Sequence, residues 1–141
     1  AYTRSLIPLQ YPLHALGVGH PENVAACYRM GYPMFDSAMP TRDARHGRLY
    51  TFTGLPGTID PFAPGKEWLR YRYIQDEHNI KDNRPLVEGC ACPVCTRYSA
   101  GYLHHLFKMN DPLFPRLATL HNLGFMNLLM RLLYIRNTTR D

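Results

Sequence analysis

Three cysteines and one histidine constrain this chain more than any other feature of its sequence. Cys90, Cys92 and Cys95 lie within one short segment, and His121 follows further along the chain. Thiolate sulfur and imidazole nitrogen are the ligands that tetrahedral zinc prefers, and three cysteines with one histidine form a closed structural set. The sequence therefore predicts a zinc ion bound by these four residues, which would stabilise the fold and take no part in chemistry.

Two other histidines lie closer to the cysteines but are poor candidates for the fourth ligand. Residues 96–108 carry apolar side chains at helical spacing, which predicts a helix. A helix rises about 1.5 Å per residue, so His105 would lie roughly 15 Å along the axis from Cys95. His104 is its neighbour on the same helix and is a poor candidate for the same reason.

The segment that follows returns toward the cysteines. Residues 110–112 are Asn-Asp-Pro, a turn signal, and residues 113–135 resume an apolar helical pattern. Two helices joined by a short turn run antiparallel. The second helix would therefore carry His121 back to the level of the cysteines.

The cysteines have two other interpretations, a disulfide among them or buried thiols beside an unrelated histidine. Disulfide frameworks are typical of small exported proteins with many cysteines, whereas this chain has only Cys27 besides the three. A thiolate metal site favours a reducing compartment, so we expect a cytoplasmic protein. The sequence contains no apolar run of the length that spans a membrane, so no membrane partner is expected.

Length and charge limit the remaining possibilities. A chain of 141 residues can bury the core of one domain. Lysine and arginine outnumber aspartate and glutamate, which gives a formal charge of +5 at pH 7. This charge is compatible with an anionic partner such as a nucleic acid, but does not require one.

The first third of the chain has the pattern of two parallel strands joined by a helix. An apolar run over 13–18 ends in a glycine-rich turn, Pro21 favours the start of a helix, and Gly31 favours its end. Residues 34–35 form a second short strand, and the connections are short. Parallel sheets collect reactive residues at the carboxyl ends of their strands, where Asp36 follows the second strand. By this pattern Asp36 is either a turn residue or a functional carboxylate.

Arg42, Arg45 and Arg48 follow Asp36 at intervals of three residues. One helical turn or a curved loop could present them together. They are either a solvated basic surface or a set of nucleic-acid contacts beside a carboxylate.

The next part of the chain alternates bulky with polar or basic residues. This alternation predicts strands at 49–53 and 68–74 that pair as a β-ribbon. Prolines and glycines over 54–65 predict a loop between them.

Together these stretches resemble one known family, the tRNA-guanine transglycosylases. The resemblance extends over nearly the whole chain. It rests on the motifs GVGHPE at residues 17–22, MFDSAMPTR at 34–42, ARHG at 44–47, CACPVC at 90–95, YLHHL at 102–106 and LATLHNL at 117–123.

The family has a (β/α)₈ TIM barrel with a zinc-bearing insertion near its end. The resemblance implies that this α/β chain is the C-terminal portion of such a barrel with its zinc-binding subdomain. We expect residues 1–54 to hold the last strands and helix of the barrel with the catalytic loop. Residues 55–89 would form a long loop and β-ribbon insertion, and residues 90–141 the zinc-binding subdomain and closing helices.

The resemblance also assigns roles to single residues. Asp36 matches the nucleophile that attacks the ribose, and Arg42 and Arg45 match two arginines that grip the tRNA anticodon loop. Leu16 and Gly17 match the segment that contacts the bound base. Leu16 stands where the family commonly has methionine, a side chain of similar volume.

The implied activity is base exchange in queuosine biosynthesis. Guanine at the tRNA wobble position would be replaced by a 7-deazaguanine base through a covalent bond between aspartate and ribose. The family's second catalytic aspartate and most base-reading residues have no match in this chain, so we expect it to be inactive alone. The resemblance also implies that the complete protein is a homodimer. The alternative is a non-catalytic, zinc-stabilised module that binds RNA or a partner protein.

Overall fold

Short strands alternate with helices along the chain, which ends in one long helix. The computed structural model describes residues 2–63 and 67–138. In chain order the elements are α1 (Tyr2–Ser5), β1 (His14–Ala15), α2 (Pro21–Arg29), β2 (Met34–Phe35), α3 (Met39–Arg45), β3 (Arg48–Phe52), β4 (Leu69–Tyr73), α4 (Ala100–Lys108) and α5 (Leu113–Thr138). Single 3-10 turns lie at Pro56–Thr58 and Glu77–Asn79.

The strands β1 and β2 form a parallel pair that α2 connects, with His14 opposite Met34. This arrangement confirms the predicted strand-helix-strand unit. The first strand is shorter than the predicted 13–18, because Leu16 is already exposed and Gly17 has a φ of +71°. Glycine adopts this left-handed conformation without steric cost, and it turns the chain out of the strand.

The strands β3 and β4 form an antiparallel hairpin in which Tyr50 lies opposite Tyr71. The predicted pairing of 49–53 with 68–74 is therefore confirmed, with slightly different strand ends. The predicted loop 54–65 contains the 3-10 turn, and its last two residues lie outside the described part of the chain.

The long helix α5 organises the buried apolar side chains. Its first half contributes Leu117 to a cluster that includes Leu103 of α4. Its second half contributes Phe125 and Leu129 to another cluster, in which the rings of Phe125 and Phe52 stack with centroids 4.2 Å apart. Each fully buried leucine or phenylalanine contributes about 1.5–3 kcal/mol through removal from water. The helix α5 thus joins the region around α4 to the β3–β4 hairpin.

The helices α4 and α5 form the predicted hairpin. Asn110 in the turn has a φ of +52°, which asparagine tolerates better than most residues. The carboxylate of Asp111 accepts a hydrogen bond from the Leu113 N–H at 2.8 Å and so caps the start of α5. The helix continues to Thr138, three residues beyond the predicted end at 135.

The start of α4 differs from the sequence prediction. The helix was expected over 96–108 but begins at Ala100, because the hydroxyl of Ser99 accepts a hydrogen bond from the Tyr102 N–H at 3.1 Å and caps it there. Upstream, the Thr96 N–H donates to the Cys92 carbonyl at 3.2 Å within a series of tight turns. These turns, in place of a straight helix, allow the cysteine side chains to converge.

A buried carboxylate stabilises the segment between β4 and the cysteines. Asp82 accepts hydrogen bonds from the guanidinium groups of Arg72 and Arg84 and from the Arg84 backbone N–H. The side chain of Asp82 is only 7% exposed. The hydrogen bonds from Arg84, together with those from Arg72, hold the pKa of the Asp82 carboxyl well below its usual range. This ion pair therefore stays charged in the folded protein.

The described residues form a mixed α/β fold with two separate two-stranded sheets. A closed (β/α)₈ barrel is not formed by residues 2–63 and 67–138, and it remains a prediction for a longer protein, as does the division into 1–54, 55–89 and 90–141. None of the helices among the described residues has both the length and the apolar character needed to cross a membrane.

Candidate metal centre and carboxylate site

The four predicted metal ligands come together in the structure. The ligand atoms of Cys90, Cys92, Cys95 and His121 all lie within 4.8 Å of one another. The sulfur atoms of Cys92 and Cys95 lie 3.6 and 3.4 Å from Nδ1 of His121. Ligand atoms about 2.3 Å from a tetrahedral metal are roughly 3.8 Å apart, so this spacing suits one ion at the centre of the cluster.

Two local features bring the cysteine turns and α5 close together. The Cys95 N–H donates to the sulfur of Cys92 at 3.4 Å, which folds the two residues into one tight turn. Gly124 lies on α5 one turn after His121, and a Cβ atom added there would lie 3.0 Å from the Cys92 Cβ. A larger residue at position 124 would therefore require α5 or the cysteine turn to shift by a few tenths of an ångström.

The orientation of His121 is fixed by the strand next to it. The imidazole is fully buried, and its Nε2 lies 2.9 Å from the carbonyl oxygen of Tyr50. A carbonyl oxygen can only accept, so Nε2 carries the proton and the lone pair of Nδ1 faces the cysteines. Metal-binding histidines are typically oriented by such a hydrogen bond on the second ring nitrogen.

The thiols influence one another's acidity. Hydrogen bonds from Cys90 and Cys95 hold the pKa of Cys92 far below the ordinary thiol value. A hydrogen bond to Cys92, together with burial, raises the pKa of Cys90. Hydrogen bonds to Cys90 and then to Cys92, together with burial, raise the pKa of Cys95. Three thiolates at this distance repel one another unless a cation neutralises them, so the donor set suits a divalent ion that prefers sulfur and imidazole. Four protein ligands leave no open position for a substrate.

The other histidines and the disulfide alternative do not fit this site. The Nδ1 atom of buried His104 lies 2.7 Å from the Ile74 carbonyl, and His105 is exposed on α4. Neither belongs to the cluster, as predicted. All four cysteines are free, so the interpretation of a disulfide is wrong.

The edge of β3 that does not face β4 is covered by two adjacent side chains of α5. The Tyr50 N–H donates to Oδ1 of Asn122 at 3.0 Å, and Nδ2 of Asn122 donates to the Arg48 carbonyl at 3.1 Å. With the bond from His121 to the Tyr50 carbonyl, three backbone groups of this strand edge are satisfied.

The same asparagine also holds the start of α3. Its Nδ2 donates a second hydrogen bond to the Pro40 carbonyl at 3.0 Å, and its side chain is fully buried. Asn122 therefore connects the helix of the metal cluster to the helix that follows Asp36. Sequence reasoning missed this role, for which the only signal is a polar residue within an otherwise apolar helical pattern.

Asp36 lies at the carboxyl end of β2, where the sequence predicted it. Its Oδ1 lies 2.9 Å from Nε2 of His14 and accepts the Gly17 N–H at 3.3 Å. The side chain remains 59% exposed, so the carboxylate is accessible to a ligand. Sequence reasoning did not single out His14, because nothing in the pattern of β1 indicates that it lies next to Asp36.

The predicted base-binding residues lie beside this carboxylate. Leu16 is 76% exposed, and Gly17 contacts Asp36 through its N–H. A cavity of about 180 Å³ opens next to them and is lined by Asp36, Ser37, Val18 and residues of α5 such as Met126. The structure thus brings Leu16, Gly17 and Asp36 to one end of the parallel strand pair, while their contact with a base stays a prediction.

The predicted tRNA-binding arginines lie in the last turn of α3. Arg42 and Arg45 are both exposed and are separated by three residues, so they project from neighbouring positions of the helix surface. Arg48, which the sequence grouped with them, differs. Its guanidinium lies 3.8 Å from the ring centre of Tyr71 and 3.7 Å from the carboxylate of Asp43, so it packs against the protein.

These observations define an α/β protein with a Cys₃His cluster that could hold a metal ion and an exposed carboxylate near a helix with two exposed arginines. Residues 1–138 match the family model described as Queuine tRNA-ribosyltransferase. The chain therefore belongs to the queuine tRNA-ribosyltransferase family, as the sequence motifs predicted.

Individual relatives agree with this assignment. A queuine tRNA-ribosyltransferase of Helicobacter pylori (strain HPAG1) is 42% identical over 125 residues, which cover 89% of this chain and 29% of that protein. The queuine tRNA-ribosyltransferase of Granulibacter bethesdensis is 36% identical over 130 residues, which cover 92% of this chain and 30% of that protein. The chain spans about three tenths of the length of these relatives.

Proposed function

We propose that the complete protein is a tRNA-guanine transglycosylase in which this chain supplies the nucleophile and a structural zinc site. The observation that carries the proposal is the carboxylate of Asp36, accessible and hydrogen-bonded at the end of a parallel strand, in a chain of this family. The substrates would be a tRNA, with guanine at the wobble position of its anticodon, and a 7-deazaguanine base of queuosine biosynthesis.

The proposed reaction is a double displacement at the ribose. Asp36 Oδ2 donates an electron pair to the anomeric carbon while the bond from that carbon to guanine breaks and its electrons pass to the base nitrogen. A general acid outside this chain protonates the departing guanine, and then accepts a proton from the incoming 7-deazaguanine. The incoming base forms the new bond to the anomeric carbon, and Asp36 leaves as a carboxylate. Two displacements retain the configuration of the ribose.

We propose Zn²⁺ as the ion of the Cys90, Cys92, Cys95 and His121 cluster. The donor set and the spacing support zinc over harder cations, which prefer oxygen ligands. A closed set of four protein ligands supports a structural role. When bound, zinc would neutralise the thiolates and fix the cysteine turns against α5.

The other residues of the proposal bind the substrates. Arg42 and Arg45 would contact the anticodon loop, which is supported by their exposure on α3, the helix that begins three residues after Asp36. Leu16 and Gly17 would form one wall for the base. The acid or base partner and most of the base pocket would come from other parts of the protein, so this chain would be inactive alone. A cytoplasmic location and a homodimer complete the proposal.

A covalent-trapping experiment tests the nucleophile. The full-length protein is incubated with tRNA in the absence of a replacement base and run on a denaturing gel. We expect a protein-RNA adduct in the parent and none in Asp36→Asn, which keeps the shape of the side chain but loses its charge. Asp76→Asn is the matched control, because Asp76 is exposed and distant in sequence from the site, and it should form the adduct at the parental level.

The outcomes separate the proposal from its alternative. Adduct formation and base exchange by Asp36→Asn at the parental rate would contradict the proposal and make Asp36 a turn residue. If the parent binds tRNA but forms no adduct and exchanges no base, the non-catalytic, zinc-stabilised RNA-binding module becomes the better description.

A further inference from the structure

We propose that His14 is a positioning residue for Asp36, holding one carboxylate oxygen so that the other faces the ribose. The proposal rests on the proposed function, in which Asp36 is the nucleophile. Its basis is the 2.9 Å distance between Nε2 of His14 and Oδ1 of Asp36.

The register of the parallel strands explains how the two side chains meet. His14 lies opposite Met34, and Asp36 follows Met34 by two positions. Side chains alternate between the faces of a strand, so all three project from the same face. A side chain two positions further along a paired strand is within reach of a long side chain such as histidine. The contact is therefore set by the backbone pairing of β1 with β2.

The two hydrogen bonds to the Asp36 carboxylate are made to the same oxygen. Oδ1 accepts hydrogen bonds from Nε2 of His14 at 2.9 Å and from the Gly17 N–H at 3.3 Å. Within the described residues, no hydrogen bond to Oδ2 of Asp36 is formed. The carboxylate is thus held in one rotation about its side-chain bonds, with Oδ2 open to solvent and to a substrate.

The hydrogen bond from His14 should speed the attack of Asp36 on the ribose, because Asp36 is more than half exposed and little else holds it in place. An exposed aspartate held only by the weaker contact from Gly17 can rotate away, and small misplacements of a reacting atom slow a reaction strongly.

The same bond assists the second displacement. When the incoming base bonds to the anomeric carbon, the bond between that carbon and Oδ2 breaks and its electrons return to the carboxylate. Negative charge then develops on both carboxylate oxygens, and the His14 donor stabilises the part that falls on Oδ1. His14 donates a hydrogen bond throughout and need not transfer a proton.

Two substitutions separate a hydrogen-bonding role from a packing role. His14→Gln places an amide nitrogen near the position of Nε2 and so retains a donor. His14→Leu has a comparable volume without any donor. Because His14 is 41% exposed, both variants are expected to fold, which thermal unfolding of the full-length protein checks.

The measurement is the rate of adduct formation by the full-length protein at saturating tRNA, with tRNA affinity measured separately. We expect His14→Leu to slow adduct formation by about 10- to 100-fold. This is the change in rate that corresponds to the loss of one hydrogen bond to a charged group. We expect His14→Gln to restore the rate to within about fivefold of the parent, because the acceptor is still charged. Both variants should bind tRNA with affinity within about twofold of the parent, because His14 acts on the chemical step and not on binding.

The results distinguish this inference from the proposed function. If Asp36→Asn abolishes the adduct while His14→Leu forms it at the parental rate, His14 does not position Asp36, although the nucleophile is right. Equal losses in His14→Leu and His14→Gln would also overturn the inference, because the donor would then be irrelevant. If Asp36→Asn still forms the adduct, the proposed function itself fails.

Discussion

Asn122→Ala should destabilise the protein more than the same substitution at an exposed asparagine of α5. The side chain is fully buried and makes three hydrogen bonds of 3.0–3.1 Å to backbone groups of Pro40, Arg48 and Tyr50. A hydrogen bond contributes about 1 kcal/mol net, and a buried group left without a partner costs more. The expected loss is about 3–5 kcal/mol in the free energy of unfolding, a large part of the 5–15 kcal/mol typical of a domain.

Urea unfolding of the chain with excess Zn²⁺ provides the assay. Trp68 is the single tryptophan, it is buried, and it belongs to the same cluster as Phe125 of α5. Its fluorescence should therefore report the loss of packing between α5 and the β3–β4 hairpin. Agreement between the fluorescence and circular dichroism curves would show a single unfolding transition.

The control for this measurement is Asn127→Ala, because Asn127 is also on α5 but is exposed. Both substitutions gain the same helix propensity, so this gain cancels when the two variants are compared. Apart from that gain, Asn127→Ala should change the free energy of unfolding by less than about 0.5 kcal/mol. A difference between Asn122→Ala and Asn127→Ala below about 1 kcal/mol would refute the argument, because the strand edge would then be satisfied without Asn122.

Three further predictions concern the metal, the arginines and the buried carboxylate. Metal analysis should find about one zinc per chain in the parent and in His105→Ala but almost none in Cys92→Ala, because loss of one of four ligands collapses a structural site. Full zinc occupancy in Cys92→Ala would contradict the proposal that Cys92 is a ligand. Replacing Arg42 or Arg45 by alanine in the full-length protein should weaken tRNA binding and make its logarithmic salt dependence shallower by about one unit for each lost phosphate contact, and unchanged affinity would identify them as solvated residues. Asp82→Asn should lower the free energy of unfolding by about 2 kcal/mol at pH 7, less than for a fully buried pair because Arg84 is exposed. Because the pKa of Asp82 is lower in the folded protein, the charged carboxylate stabilises the parent at every pH above the ordinary aspartate pKa. This contribution is lost as the pH falls through the lowered pKa. Urea titrations should therefore show the free energies of unfolding of the parent and Asp82→Asn converging in acid.

The convergence of the three cysteines and His121 could be predicted from the sequence because its geometry follows from local rules. The spacing of the cysteines, the rise of a helix and the turn at residues 110–112 were enough to select His121 over His105. The error at the start of α4 did not affect this choice, because the cap at Ser99 shortens the helix without changing the direction of the return.

Other features depend on contacts between residues distant in sequence, which periodicity does not encode. The Asn122 side chain bonds to groups more than seventy positions earlier, and a buried asparagine in a helix does not reveal its partners. The pairing of His14 with Asp36 requires the register of β1 against β2, which the pattern leaves open. Arg48 resembles its neighbours Arg42 and Arg45 in sequence, but the position of Tyr71 across the hairpin removes it from the exposed set.

The bond from His121 to the Tyr50 carbonyl has a consequence for the newly synthesised protein. The imidazole that faces the thiols through Nδ1 also shields the outer edge of β3 through Nε2. If the ring turns away before a metal arrives, the strand presents unpaired backbone groups, and such edges pair readily with other chains. Metal supply would then govern how much of the newly made protein escapes aggregation, so the insoluble fraction should rise when the chain is produced without the metal.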